Sequence, residues 1–183
     1  MAARLGILLS GSGTTYANIV EAVQDGRLQA DIAVVISSKR GTGGLLKAAF
    51  YGHPTAVAET PEAVTSALRA HGVQWVVMCG WLKYWDPPDE FCGHTVNIHP
   101  SLLPAFGGQG MYGRKVHEAA IAHGVKISGC TVHLVAGGYD SGPILAQQAV
   151  AVAPGDSADT LQARVQEAER ELYPLALADL LRD

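Results

Sequence analysis

The chain has 183 residues, 48% of them hydrophobic, with 13 Lys and Arg against 17 Asp and Glu for a formal net charge of -4. That length and apolar content fit one globular unit with a sizeable core and exclude a disordered chain, while the acidic balance disfavours long nucleic acid and leaves room for a small anion. Cys79, Cys92 and Cys130 form neither a C-x-x-C pair nor an even framework of bridges, and no apolar run reaches membrane-spanning length, so the expectation is a cytoplasmic protein with no membrane contact.

"RLGILLS" (4–10) is a short apolar strand that breaks at "GSG", and "TTYANIVEAVQDG" follows with helical spacing at Tyr16, Ile19, Val20 and Val23. "ADIAVVISS" (30–38) reads as a second strand, "GGLLKAAFYG" (43–52) as a helix and "PTAVAE" (54–59) as a short strand. "PEAVTSALRAHG" (61–72) is a helix with proline at its start, and "VQWVVMCG" (73–80) is another apolar strand. The alternation up to "HTVNI" predicts right-handed crossovers and a mostly parallel sheet with helices on both faces. "KISGCTVHLV" (126–135) and "GPILAQQAVAV" (142–152) leave no room for a helix between them, which predicts an antiparallel pair. A closing helix starts near Ser157, with an apolar stripe at Leu161, Val165, Ala168, Leu172 and Leu175, and Pro174 should kink it and free the carbonyl of Arg170.

Four places could carry chemistry. "SGSGTT", Ser10 to Thr15, is a glycine turn between strand and helix, where free backbone N–H groups and the helix dipole favour an anion; the alternative is a tight turn that binds nothing. It matches neither a dinucleotide fingerprint, which needs glycine at Tyr16, nor a Walker A loop. In "VNIHPSLLPAF", Asn97 and His99 alternate with apolar Val96 and Ile98, so both point to one face, about 7 Å apart at roughly 3.3 Å per residue. Pro100 stops the strand just as the imidazole emerges, at the carboxyl end of a central strand where open α/β sheets keep their crevice; otherwise His99 merely caps a turn. Asp140 in "GGYDSG" is turn chemistry by itself, but its hairpin could fold back and bring a carboxylate to that imidazole. Thr131 and His133 repeat the i, i+2 spacing, and either face the same site or satisfy each other. Glu169 sits one position off the last helix's apolar stripe, at the edge of the core. His53, His71, His94 and His123 lie at predicted element ends without ligand-like spacing, so no metal is expected.

In this order and at these separations, "LLSGSGTT", "NIHPSLLP", "SGCTVH", "YDSGPIL" and "RVQEAERELYPL" resemble the phosphoribosylglycinamide formyltransferase family, folate-dependent enzymes of purine synthesis. The resemblance runs nearly end to end. It implies the formyltransferase fold over residues 1–183, with a Rossmann-like phosphate-binding half (about 1–95) and a folate and catalytic half (about 96–183). It implies Asn97, His99 and Asp140 as the catalytic set, Gly11, Ser12, Gly13, Thr14 and Thr15 as the phosphate seat, and Glu169 as a ribonucleotide contact. Thr131 and His133 are secondary candidates. "CGWLKYW" falls where the family lines its pterin pocket, which makes Leu82, Lys83 and Trp85 folate candidates. Two departures stand out: Gly13-Thr14-Thr15 replaces the usual G-S-N, and "AFGGQGMYGRKVHEA" is long and glycine-rich, so it is expected to be mobile and to order over substrate.

The implied substrates are glycinamide ribonucleotide and 10-formyltetrahydrofolate as co-substrate, with no metal, and the implied assembly is a monomer or homodimer. Formyl transfer passes through a tetrahedral intermediate with a negative oxygen, which Asn97 and a protonated His99 can stabilise. Asp140 should raise the pKa of His99 and carry the proton from amine to N10. The competing expectations are another small-amine formyltransferase, a formyltetrahydrofolate hydrolase, or a non-catalytic nucleotide-phosphate binding module. The transfer-RNA formylating and hydrolase branches usually carry an additional domain, for which 183 residues are expected to leave no room.

Overall fold

Strand β1 (Ala3–Leu9) is sealed from Leu5 through Leu9, because it lies between two parallel neighbours and carries helices on both faces. Its side chains divide with the period of a strand: Leu5, Ile7 and Leu9 join one core, while Leu8 joins the other. The computed structural model describes residues 2–182. The chain continues through α1 (Thr14–Gln24), β2 (Ala30–Ser37), α2 (Gly43–Tyr51), β3 (Thr55–Val57), α3 (Pro61–Ala70), β4 (Trp75–Met78) and β5 (Thr95–His99). It ends with α4 (Arg114–Ala122), β6 (Ile127–Leu134), β7 (Ile144–Ala151) and α5 (Ala158–Leu180).

The seven strands stand in the order β3-β2-β1-β4-β5-β6-β7. β1 to β5 pair in parallel, and β6 is antiparallel to both β5 and β7. The order reverses between β1 and β4, so the carboxyl ends of β1, β4 and β5 open onto one crevice. Ser10 ties that edge together: its N–H donates to the Gly80 carbonyl, and its Oγ accepts from Leu82 N–H and from Ser38 Oγ.

The larger core takes Tyr16 and Ile19 from α1, Val96 and Ile98 from β5, and Leu161, Val165 and Ala168 from α5. The expected stripe on α5 fails at its last position. Leu175 is exposed, and Tyr173, Ala176 and Leu177 are buried in its place. The Tyr173 hydroxyl reaches under the sheet to donate to the carbonyls of Met78 and Val96, which turns the helix face beyond Ala168. Pro174 lies inside α5 without ending it. The Arg170 carbonyl that a proline at 174 leaves without its helical donor accepts instead from the Asn18 amide at 2.9 Å, tying α5 to α1. Ser157 caps α5 in a reciprocal capping box with Thr160.

One element is unannounced by the sequence pattern. Residues 114–122, partly within the stretch read as a mobile loop, form α4. The glycine-rich part ends at Gly113, whose φ of 55° and ψ of -138° provide no side-chain cap, so the start signal for a helix is absent.

Candidate active site

The β5–β6 ladder sets His133 directly opposite Asn97 and Thr131 opposite His99, which places all four side chains on one sheet face. The loop between β6 and β7 then folds back along that face. It carries Asp140 to His99, with Oδ2 3.4 Å from Nδ1, and Oδ1 lies 3.7 Å from His133 Nε2. The carboxylate also accepts from Gly108 N–H at 2.9 Å, so the hairpin and the glycine-rich loop meet at this one side chain. Asp140 has a φ of 53° and Phe106 has the same value, left-handed conformations that are costly for non-glycine residues and cluster where function needs them.

The ring nitrogens have definable roles. His133 Nδ1 lies 2.9 Å from the Leu134 carbonyl and donates to it, so Nε2 is free to accept from the Asn97 amide at 3.2 Å. One amide N–H of Asn97 is thereby anchored, and the other remains for the cavity. His99 Nε2 donates to the Phe106 carbonyl at 2.9 Å, while Nδ1 faces Asp140. Both His99 nitrogens therefore meet acceptors, an arrangement that suits an imidazolium. Burial nonetheless pushes the His99 pKa below its ordinary value, against the upward pull of Asp140 and of the Phe106 carbonyl. The expectation of a net upward shift is corrected: the site is dry enough for desolvation to exceed the carboxylate's attraction. Burial works on Asp140 in the opposite sense, but the neighbouring His133 and His99 imidazoles and the hydrogen bond from Gly108 N–H outweigh it and hold the carboxyl below its usual range.

These groups line a cavity of about 380 Å³, within the range of small-molecule sites. One wall is aromatic, with Trp81, Tyr84 and Tyr139, the last two rings 5.3 Å apart. The other is polar, with Thr15 and, at i, i+4 and i+7 on α5, Gln162, Gln166 and Glu169. Glu169 also lines a small adjoining cleft with Thr14, Thr15, Asn18 and Arg170, so the site extends to the N-terminus of α1. Its residue surface is only half-buried, but the carboxyl points inward, and desolvation alone raises its pKa to about 7.

At that helix start Gly13 is left-handed, with φ 72°, and no side chain caps the helix. A Cβ on Gly13 would come 2.6 Å from Gly44 Cα, so glycine is needed for both the turn and the close approach of α2. Ser12 Oγ and Thr14 Oγ1 lie 3.1 Å apart beside the first turn, Gly11 accepts from Gly44 N–H, and Lys47 Nζ donates to the Ser12 carbonyl at 2.6 Å. Of the 80–85 segment, Leu82 is exposed on the cavity wall, and Lys83 lends its stem while its ammonium donates to the Glu59 carbonyl. Trp85 lines the cavity from a side chain committed to the second core, its indole donating to Thr65.

The Thr131 and His133 pair divides. His133 belongs to the cluster, whereas Thr131 is sealed beneath the 101–103 turn, donating to the Ser101 carbonyl and accepting from Leu103 N–H and Gln147. Several cavity residues escaped the sequence reading, His117 on α4 and Trp81 among them. The second lay within the quoted "CGWLKYW"; the first had no signal, because its place depends on a helix that the pattern does not announce. Among the described residues no group of His, Cys, Asp and Glu is arranged to hold a metal ion, and no helix is long and apolar enough to cross a membrane.

A crevice at the strand ends joins the Asn97, His99 and Asp140 cluster to an uncapped helix N-terminus, and the formyl transferase family model matches residues 3–177. The chain is 34% identical over 185 residues to phosphoribosylglycinamide formyltransferase of Haemophilus influenzae, covering 95% of this chain and 85% of that protein. It is 37% identical over 182 residues to the chloroplastic phosphoribosylglycinamide formyltransferase of Arabidopsis thaliana, covering 93% of this chain but 62% of that one. Glycinamide ribonucleotide transformylase 1 from Symbiobacterium toebii superposes with a TM-score of 0.92 at 35% identity, covering 99% of this chain and 88% of the other. The chain belongs to the phosphoribosylglycinamide formyltransferase family.

Proposed function

We propose that this protein transfers the formyl group of 10-formyltetrahydrofolate to the amine of glycinamide ribonucleotide. The observation that carries the reading is the Asn97, His99, His133 and Asp140 cluster, set between an aromatic wall suited to a flat heterocycle and a polar wall that leads to an uncapped helix N-terminus.

In this reading the amine attacks the formyl carbon, the carbonyl oxygen becomes an oxyanion, and the free Asn97 N–H donates to it. His99 contributes its Nε2–H, which must leave the Phe106 carbonyl for the substrate oxygen as the glycine-rich loop rearranges. Asp140, held ionised, attracts positive charge onto His99 and carries the amine's proton towards N10 directly or through a water, and the C–N10 bond then breaks. His133 keeps the Asn97 amide in the donating orientation. Gly11, Ser12, Gly13, Thr14 and Thr15 seat the ribonucleotide phosphate, Glu169 meets the ribonucleotide, and Leu82, Lys83 and Trp85 border the folate. The division into a phosphate half (1–95) and a folate and catalytic half (96–183) belongs to the same proposal. Three free cysteines, two of them buried, suit a reducing compartment, and we read the setting as cytoplasmic.

The test is release of deformylated folate, followed by absorbance with glycinamide ribonucleotide present or omitted. Amine-dependent release supports the proposal. Release without the amine means a hydrolase, and no release with both substrates means a binding module.

A further inference from the structure

Two buried side-chain nitrogens in the described chain have no hydrogen-bond partner, His117 Nδ1 and Trp81 Nε1, and both residues line the same cavity. Buried polar groups are nearly always paired, so two orphans around one cavity are atoms whose hydrogen bonds a ligand can supply. His117 is the more informative of the two. It lies within α4 at 1% exposed, and no described residue bonds its Nδ1. Burial first, and then the neighbouring His99, lower its affinity for a proton, so the ring is a neutral imidazole with one donor and one acceptor. α4 packs against α5, whose Gln162, Gln166 and Glu169 line the same cavity as His117.

We propose that His117 contacts the acceptor substrate, its imidazole hydrogen-bonding the glycinamide arm and holding the amine beside His99. The arm carries an amide and an amine, which match a group offering one donor and one acceptor. A turn of the ring about χ2 exchanges the two nitrogens, so either can make the bond. The inference rests on the reading that glycinamide ribonucleotide is the acceptor, and wild-type turnover tests that reading separately.

The experiment compares wild type, His117→Leu and His117→Gln, measuring kcat and KM for each substrate at saturation of the other, with the fold checked by thermal unfolding. The expected result for His117→Leu is a rise of about 10-fold or more in KM for the ribonucleotide, a lower kcat, and a folate KM within about twofold of wild type, since a lost hydrogen bond acts on the substrate that made it. His117→Gln, which restores a donor and an acceptor, should recover most of the loss. An unchanged ribonucleotide KM in His117→Leu overturns the inference, as does an equal loss for both substrates that His117→Gln does not repair. Wild type without amine-dependent turnover overturns the acceptor reading itself.

Discussion

The amide nitrogen of Asn97 lies 3.2 Å from Nε2 of His133, the residue directly opposite it across the antiparallel β5–β6 ladder. Two strands thus orient one amide. His133→Phe keeps the ring volume but removes the acceptor, so the amide loses its anchor while the packing is nearly unchanged. The expected outcome is a fall in kcat of about 10-fold or more, with His133→Gln intermediate, read by steady-state kinetics. A full-speed His133→Phe enzyme would show that Asn97 needs no such support.

Glu169 gives a pH prediction of definite sign. Burial pushes its carboxyl up to about 7 in the folded protein, above the 4.5 of an ordinary glutamate. The folded state therefore holds the proton more tightly than the unfolded one, and this contribution is fully present below about 4.5 and lost as pH rises through 7. Glu169→Gln removes the cost of an ionised buried carboxylate, so the variant should be more stable than wild type at pH 8, by about 1–3 kcal/mol, with the difference shrinking at pH 5. Urea denaturation at the two pH values decides it. The same variant should bind the ribonucleotide less well, a site group kept at the expense of stability.

The glycine loop requires a test that spares the fold. Gly13→Val would drive a Cβ onto the backbone of Gly44 at 2.6 Å, so it should destabilise the protein and weaken both ligands alike. Competition is the cleaner measurement. Inorganic phosphate or sulfate should raise the apparent KM for glycinamide ribonucleotide and leave that for the folate unchanged. Inhibition against both substrates, or against neither, would place the phosphate away from the N-terminus of α1.

Tyr173 anchors α5 under the sheet through two carbonyls, of Met78 and Val96. Tyr173→Phe leaves both buried acceptors without that donor and should lower stability by about 1–3 kcal/mol in chemical denaturation. KM for either substrate should hold, because the hydroxyl points into the core and away from the cavity.

Much of this was legible in the sequence because the signals were local. Asn97 and His99 betray themselves by alternating with Val96 and Ile98 before a proline, and Asp140 by a loop rich in glycine between two strands. The freed Arg170 carbonyl follows from Pro174 alone, although its partner Asn18 lies 152 residues away and could not be foreseen. What local pattern cannot carry is the covering of one element by another. Thr131 and His133 have the same spacing, and only the 101–103 turn decides that one is sealed and the other reaches the cavity. His117 depends on a helix without a capping signal, and the pKa of His99 depends on how much water the folded cavity excludes.

The central claim is that His99 and Asp140 act as one unit in formyl transfer, and single-turnover rates of His99→Ala, Asp140→Asn and the double variant test it most directly. Asparagine tolerates the left-handed backbone at position 140 better than most residues, so Asp140→Asn should remain folded and report on charge alone. With both substrates saturating, each single variant should lose about 10²–10³ in rate, and the double variant should be little worse than the slower single one. Near-wild-type transfer in either single variant, or losses that multiply in the double, would contradict the account.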